Sequence, residues 1–387
     1  MRKIFVFLLA LLILTTNLQA LAVTTETTVL TKEELNKTIK DGITWLLNAQ
    51  ESDGHFRYEY SPFWDRYTDD DNIVRQAGAF YIIGEAARKD TQKLYALQPA
   101  LEKAAAYLDS KSINGSFNSK SFRCVYKSEK VCTLGGTSLA LLGLLDLVEA
   151  YPKTASKYQK SIENYKNYLL AMKKSDEGFR DAFYLDREQK TNESSFSNGE
   201  AFLALVRYYK YKPDTELKTL IEESFDYFDE TYRKDWDSNF YLWGMAALKD
   251  WYQIFPKEEH YNFTKEYTDW RISEQEVNKT SPHNRCAYIE GVTSAYSILA
   301  DDKDQKKYLE EINFWLTKSR TLQLSKSNFI RISFSDGELK ILRAKETSRS
   351  LGGFLTSPSE PFQRIDFTQH CVSSYLQKLT DIDKQTL

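Results

Sequence analysis

Carboxylates, arginines and one histidine recur in this 387-residue chain where a polar turn gives way to a long apolar run. Asp69-Asp70-Asp71-Asn72, with Arg75, leads one such run; Asn198 and Glu200 lead another. Asn239 precedes a third with Trp243 inside it, and His283-Asn284-Arg285 a fourth with Glu290 inside it. Arg364 and Asp366 lead the last, followed by Gln369 and His370. These types suit two kinds of work. Asp71, Glu200, Glu290, Asp366 and His370 are candidate proton donors and acceptors. Arg75, Arg285 and Arg364 offer forked donors for a carboxylate or phosphate, and Asn72, Asn284 and Trp243 offer hydrogen bonds and a stacking face. Each also has a plainer use. Asp71 and Asp366 are placed to cap helices, Glu200 to complement a helix dipole, and the arginines to pair with those carboxylates.

The elements that must position these residues are helices of two kinds. Amphipathic stretches lie at Glu33–Gln50, Gln98–Leu108, Tyr158–Met172, Leu217–Tyr232, Glu258–Glu276 and Gln305–Thr321. Each is followed by a turn or loop and then by a stretch that is apolar nearly all round, as in Ala77–Ala87, Leu139–Val148, Ala201–Tyr209, Phe240–Trp251, Cys286–Leu299 and Phe367–Leu379. A helix apolar on every side is buried on every side. Alternation of the two kinds predicts two concentric layers, closing as an all-α (α/α)6 toroid of about six helical hairpins. Before the last pair lies an insertion, where Asn328–Phe334 and Glu338–Leu342 alternate around Ser335-Asp336-Gly337; this predicts a small β-hairpin near Phe329–Leu342 and little other strand. Inner helices that all run the same way gather their N-termini on one rim. Arg75, Arg285, Arg364, Glu290 and His370 are then expected to form one anion-recognising cluster.

Gln50-x-x-Asp53-Gly54-x-Phe56 resembles the glutamine–aspartate–glycine–aromatic repeat of the terpenoid cyclase and protein prenyltransferase toroids. The count of six pairs and the glycine-led inner helices are similar to the six-hairpin carbohydrate-active enzymes: glycoside hydrolases, polysaccharide lyases and sugar epimerases. The second resemblance implies an anionic saccharide ligand. A hydrolase there needs two carboxylates flanking the bond. A lyase or epimerase needs a base, His370 or a tyrosine, with Arg285 and Arg364 stabilising charge. A non-catalytic glycan-binding toroid is the alternative. A terpenoid cyclase is the second alternative, although Asp69-Asp70-Asp71-Asn72 lacks the Asp-x-Asp-Asp order those enzymes use to protonate.

The remaining constraints concern location and covalent links. Met1-Arg2-Lys3, an apolar run to Leu14 and Leu18-Gln19-Ala20-Leu21-Ala22 read as a signal peptide over 1–22, leaving a linker at 23–31, a single domain over 32–387 and no later membrane span. The expected location is therefore periplasmic or extracellular. A net charge of -3 argues against a nucleic-acid binder with a broad basic face. The four cysteines pair by position as Cys124–Cys132 and Cys286–Cys371. No close-spaced ligand set points to a metal, and no cofactor is expected. Asn36, Asn114, Asn192, Asn262 and Asn278 head glycosylation sequons.

Overall fold

The computed structural model describes residues 29–89, 96–117, 119–128, 130–175, 178–325, 329–333, 339–343 and 347–383, with backbone alone for 329–333 and 339–343. The leader, most of the linker and the Ser335-Asp336-Gly337 turn lie outside the described residues. Six outer helices alternate in the chain with six inner ones. The outer helices are α1 (Lys32–Ala49), α3 (Gln98–Ser110), α5 (Ala155–Met172), α7 (Thr215–Lys234), α9 (Glu258–Glu276) and α11 (Gln305–Arg320). The inner helices are α2 (Ile73–Lys89), α4 (Leu134–Ala150), α6 (Ser195–Tyr211), α8 (Ser238–Tyr252), α10 (Cys286–Leu299) and α12 (Ile365–Gln377). Each inner helix packs on the next, and α12 packs on α2, so the inner ring closes. In α4 all fifteen residues from Leu134 to Val148 are buried, whereas outer α7 buries only six, spaced along one face.

The turn after each outer helix explains the repeat seen in the sequence. Gly54 adopts φ +95°, a region open to glycine at little cost, and the chain folds back so that Phe56 pairs with Gln50. Lys173 with Phe179 and Gln323 with Phe354 repeat the bridge. The freed N–H of each aromatic residue is then claimed by the fourth residue of the following inner helix. Phe56 donates to Gln76 (2.8 Å), Phe179 to Asn198 (2.9 Å) and Phe354 to Thr368 (3.1 Å). In the second pair Val125 donates in the same way to Thr137 at 3.0 Å. One side chain thus docks each loop on the helix it precedes and satisfies a buried amide that would otherwise be costly.

The hairpin pairs Phe329–Ser333 with Leu339–Arg343, as expected. Strand is more abundant than expected elsewhere. Glu59–Ser61 (β1), Arg66–Tyr67 (β2), Ser112–Phe117 (β3), Lys120–Ser128 (β4), Val131–Thr133 (β5) and Ala182–Tyr184 (β6) precede the hairpin strands β7 and β8, and Gln363–Arg364 is β9. Strands β3-β4-β5-β6 form a four-stranded antiparallel sheet, and β2-β1-β9 a smaller one. Asn114-Gly115-Ser116-Phe117, which has the composition of a helix-ending turn, is part of strand β3. Gly115 lies directly against the Phe122 ring, where a side chain would collide, so that turn-like glycine serves close strand packing.

Cys124 pairs with Cys132, joining β4 to β5, with Cα atoms 5.8 Å apart. Cys286 pairs with Cys371 at a Cα separation of 4.7 Å, joining the first residue of α10 to the second turn of α12. No single helix among the described residues is long and apolar enough to cross a membrane.

Candidate functional site at the rim of the inner ring

Contacts between inner helices that are not neighbours identify the ring axis. Tyr81 of α2 and Trp243 of α8, on opposite sides, approach to 6.1 Å between ring centroids, and Trp243 lies 5.9 Å from the His370 ring of α12. These buried rings form a floor below the helix starts. Trp243 is only 2% exposed, so it backs the imidazole and leaves no open face.

On this floor, His370 Nδ1 lies 2.7 Å from Glu290 Oε2, a contact between α12 and α10 that is nearly closed to solvent. A carboxylate only accepts, so the Nδ1 that faces Glu290 is the donor, and in the neutral imidazole Nε2 is then the nitrogen with the lone pair. Nε2 has no hydrogen-bond partner among the described residues. The Cys286–Cys371 link holds this pair in register. Cys286 lies one turn before Glu290 on α10, and Cys371 follows His370 directly.

Nearer the rim, Asp366 is gripped twice. Arg364 binds it through Nε (3.1 Å) and Nη2 (2.6 Å), and Arg75 approaches from α2 at 3.2 Å. Strand β9 positions Arg364. Its partner Glu59 on β1 aligns it, and the guanidinium stacks on Tyr58 (5.2 Å) and Phe367 (4.8 Å). Glu200 reaches in from α6 without a direct ionic partner among the described residues. Gly135 of α4 makes room for it, since a Cβ there would stand 2.1 Å from Glu200 Oε2. Burial pushes the Glu200 carboxyl up to about 8, against the weaker opposing pull of Arg75. It is therefore largely a neutral acid at pH 7, while Asp366 is held by two cations.

The other candidates fall elsewhere. Asn72, rather than Asp71, caps α2, accepting from the Val74 amide at 3.0 Å. Asp71 accepts from Gln76 Nε2 at 2.7 Å and so braces the loop anchor. Asn284 is committed to the backbone: its amide donates to Leu355 O and its Oδ1 accepts from the Cys286 amide. Arg285 lies apart from the axis, bonded to Asn278 Oδ1 at 3.2 Å. The expected single cluster is therefore two groups, Arg75–Asp366–Arg364 with Glu200 and His370–Glu290 at the axis, and Arg285 outside it. Tyr58 and Glu59 were not singled out in the sequence; only the β1–β9 pairing brings them to Arg364.

No protein-family model matches the chain, and no curated protein matches it by sequence. Solved structures match it over nearly its whole length. A family-76 α-mannanase of Bacteroides thetaiotaomicron aligns with a TM-score of 0.61 at 9% identity, covering 91% of this chain and 97% of its own. Cellobiose 2-epimerase from Bacillus thermoamylovorans aligns at 0.62 and 11% identity, covering 89% and 98%. An unsaturated glucuronyl hydrolase specific for heparin aligns at 0.60 and 12% identity, covering 90% and 98%. All are six-hairpin toroids.

This chain is an (α/α)6 toroid.

Its rim lies at the end of the ring where the N-termini of the inner helices converge. The opposite end of the toroid is closed by buried charges. Arg207 binds Asp250 and, at 3.3 Å, Asp146; Lys89 and Lys249 reach Asp381 at 2.9 and 3.1 Å.

Proposed function

We propose that the protein is an exported enzyme acting on a saccharide by proton transfer at carbon, as an epimerase, isomerase or lyase does. The observation that carries this reading is the 2.7 Å Glu290–His370 contact, which leaves a basic imidazole nitrogen next to the site. Glu200, whose carboxyl burial pushes up to about 8, supplies an acid on another inner helix of the same rim. In an open-chain sugar, His370 Nε2 takes the proton from the carbon beside the carbonyl. The electron pair moves onto the carbonyl oxygen, which Glu200 protonates. Reprotonation by His370 on the other face or at the adjacent carbon, with one enediol hydroxyl proton returned to Glu200, completes the exchange, whereas return of the enol proton to Glu200 while the group on the next carbon leaves with the proton held by His370 completes an elimination. Arg75 and Arg364 place two positive charges against Asp366, and the surplus, partly offset by Glu59, favours a substrate bearing negative charge.

Hydrolysis with two free carboxylates fits less well. Asp366 is neutralised by two guanidinium groups and Glu290 is bonded to His370, which leaves Glu200 as the free one of these three buried carboxylates. The structural neighbours include an epimerase and two hydrolases, so the fold accommodates either chemistry. The leader and the two cysteine pairs support export.

The test is incubation of the mature protein with neutral and acidic sugars in heavy water. Deuterium incorporated at carbon, and lost in His370→Gln by at least about 100-fold, is the expected result. Release of reducing ends without exchange would convert the reading to hydrolysis. Binding without any turnover would leave a glycan-binding toroid.

A further inference from the structure

Arg285 stands beside Arg271 and Lys318 in a corner between outer helices α9 and α11 and the start of α10, away from the axis. The three cations come from three helices, and their surroundings are mostly aromatic. The Arg271 guanidinium lies 5.1 Å from the Tyr288 ring and 6.0 Å from that of Trp270. Lys318 Nζ lies 4.8 Å from the Trp315 ring and 5.8 Å from that of Phe314.

The negative charge nearby is already engaged. Glu311 accepts from Tyr288 Oη (2.8 Å) and Trp315 Nε1 (2.7 Å) and faces Lys279 at 3.6 Å. Glu276 binds Lys279, and Glu274 meets Arg271 at 3.3 Å from a largely exposed position. Arg285 has no carboxylate partner among the described residues. It donates to the neutral amide oxygen of Asn278, and Lys318 donates to the backbone oxygen of Lys279. The Nε atoms of both Arg271 and Arg285 are buried without an acceptor. Burial and the like charge of Arg271 hold Arg285 below its ordinary value, and burial with Arg285 does the same for Lys318. A half-buried guanidinium beside like charge, with an empty donor, is expensive unless an acceptor of opposite charge visits it.

We infer that Arg271, Arg285 and Lys318 form a second, off-axis site for an oxyanion, the carboxylate or sulfate group of an acidic saccharide. The partly exposed ends of the two guanidinium groups and of Lys318 supply the first anion contacts, the unpartnered Nε donors being the groups that gain an acceptor when the side chains turn to it, and the aromatic rings around them suit the faces of a sugar. The site is independent of the proton-transfer reading and survives its failure.

Calorimetric titration with sodium sulfate and with D-glucuronate, at constant ionic strength, tests it. The expected result is a saturable site, additional to any binding at the rim, that weakens about tenfold or more in Arg285→Gln and Arg271→Gln. Arg285→Lys, which keeps the charge but loses the fork, should fall between, and Lys157→Gln, at an exposed cation of α5, should bind as the parent does. Thermal melting of each variant without ligand confirms folding. Absence of saturable binding, unchanged affinity in Arg285→Gln, or an equal loss in Lys157→Gln overturns the assignment.

Discussion

At the scale of single residues, Glu200 makes the most specific demand on experiment. Its carboxyl is raised from an ordinary 4.5 to about 8 because α6 buries it against Gly135. Between those values the folded state holds a proton that the unfolded chain has released. Stability is therefore full below pH about 4.5 and declines as pH rises toward 8, by up to about 5 kcal/mol. Urea denaturation across this range should show the decline in the parent and a much flatter profile in Glu200→Gln. Equal slopes in both proteins would mean that Glu200 ionises normally. Gly135→Ala should displace the same carboxyl and lower activity with it. His260 acts in the opposite direction. Buried against the Phe225 ring, it is held below 6.5 by desolvation, so folded protein resists its protonation and stability is lost as pH falls below that value.

Among elements, the inner helices are held at their starts. Gln76, Thr137, Asn198 and Thr368 occupy the same position in four of them and dock the preceding loop. Asn198→Ala strands the Phe179 amide and should cost about 1–3 kcal/mol. An effect within experimental error in chemical denaturation would show that water replaces the side chain. The cysteine pairs act on the same ends. In the chain-entropy account, the separation of 85 residues between Cys286 and Cys371 gives about 4.5 kcal/mol, against about 2.5 kcal/mol for the separation of 8 between Cys124 and Cys132. Cys286→Ser with Cys371→Ser should therefore lower the melting temperature more than the other double variant. It should also lower turnover, since the link spaces Glu290 from His370. Equal losses from the two variants would contradict both points.

For the whole molecule, the consequence of closing the ring is that its two ends do different work. The N-terminal rim keeps an acid and a base near the axis. The opposite end is sealed by Glu85, Asp146, Arg207, Lys249 and Asp250, all buried, together with the partly buried Arg88, Lys89 and Asp381. Arg207 is the hub, touching acids from α2, α4 and α8. Arg207→Met would leave several carboxylates facing one another and should destabilise the protein by about 3–5 kcal/mol. A loss under about 1 kcal/mol in urea would show that the remaining cations suffice.

The sequence by itself determined the layers, because an amphipathic helix and an all-apolar helix bury different areas and leave a periodic record of it. It also placed polar side chains at the starts of inner helices, where Arg75, Glu200, Glu290, Arg364, Asp366 and His370 are found. It could not show which of them meet. Glu290 and His370 are 80 residues apart, and only the packing of α10 on α12 brings them to 2.7 Å. Arg285 follows the same local pattern as Arg364, yet its helix turns it outward to α9 and α11 while β9 turns Arg364 toward Asp366. The four-stranded sheet was hidden for a related reason: Gly115 and its neighbours carry the composition of a turn, and their strand conformation depends on β4 lying alongside. The buried ionic end was equally illegible, since a charge at the end of a helix normally faces water. Ring closure removes that water, and each buried charge then requires a partner from another turn of the ring.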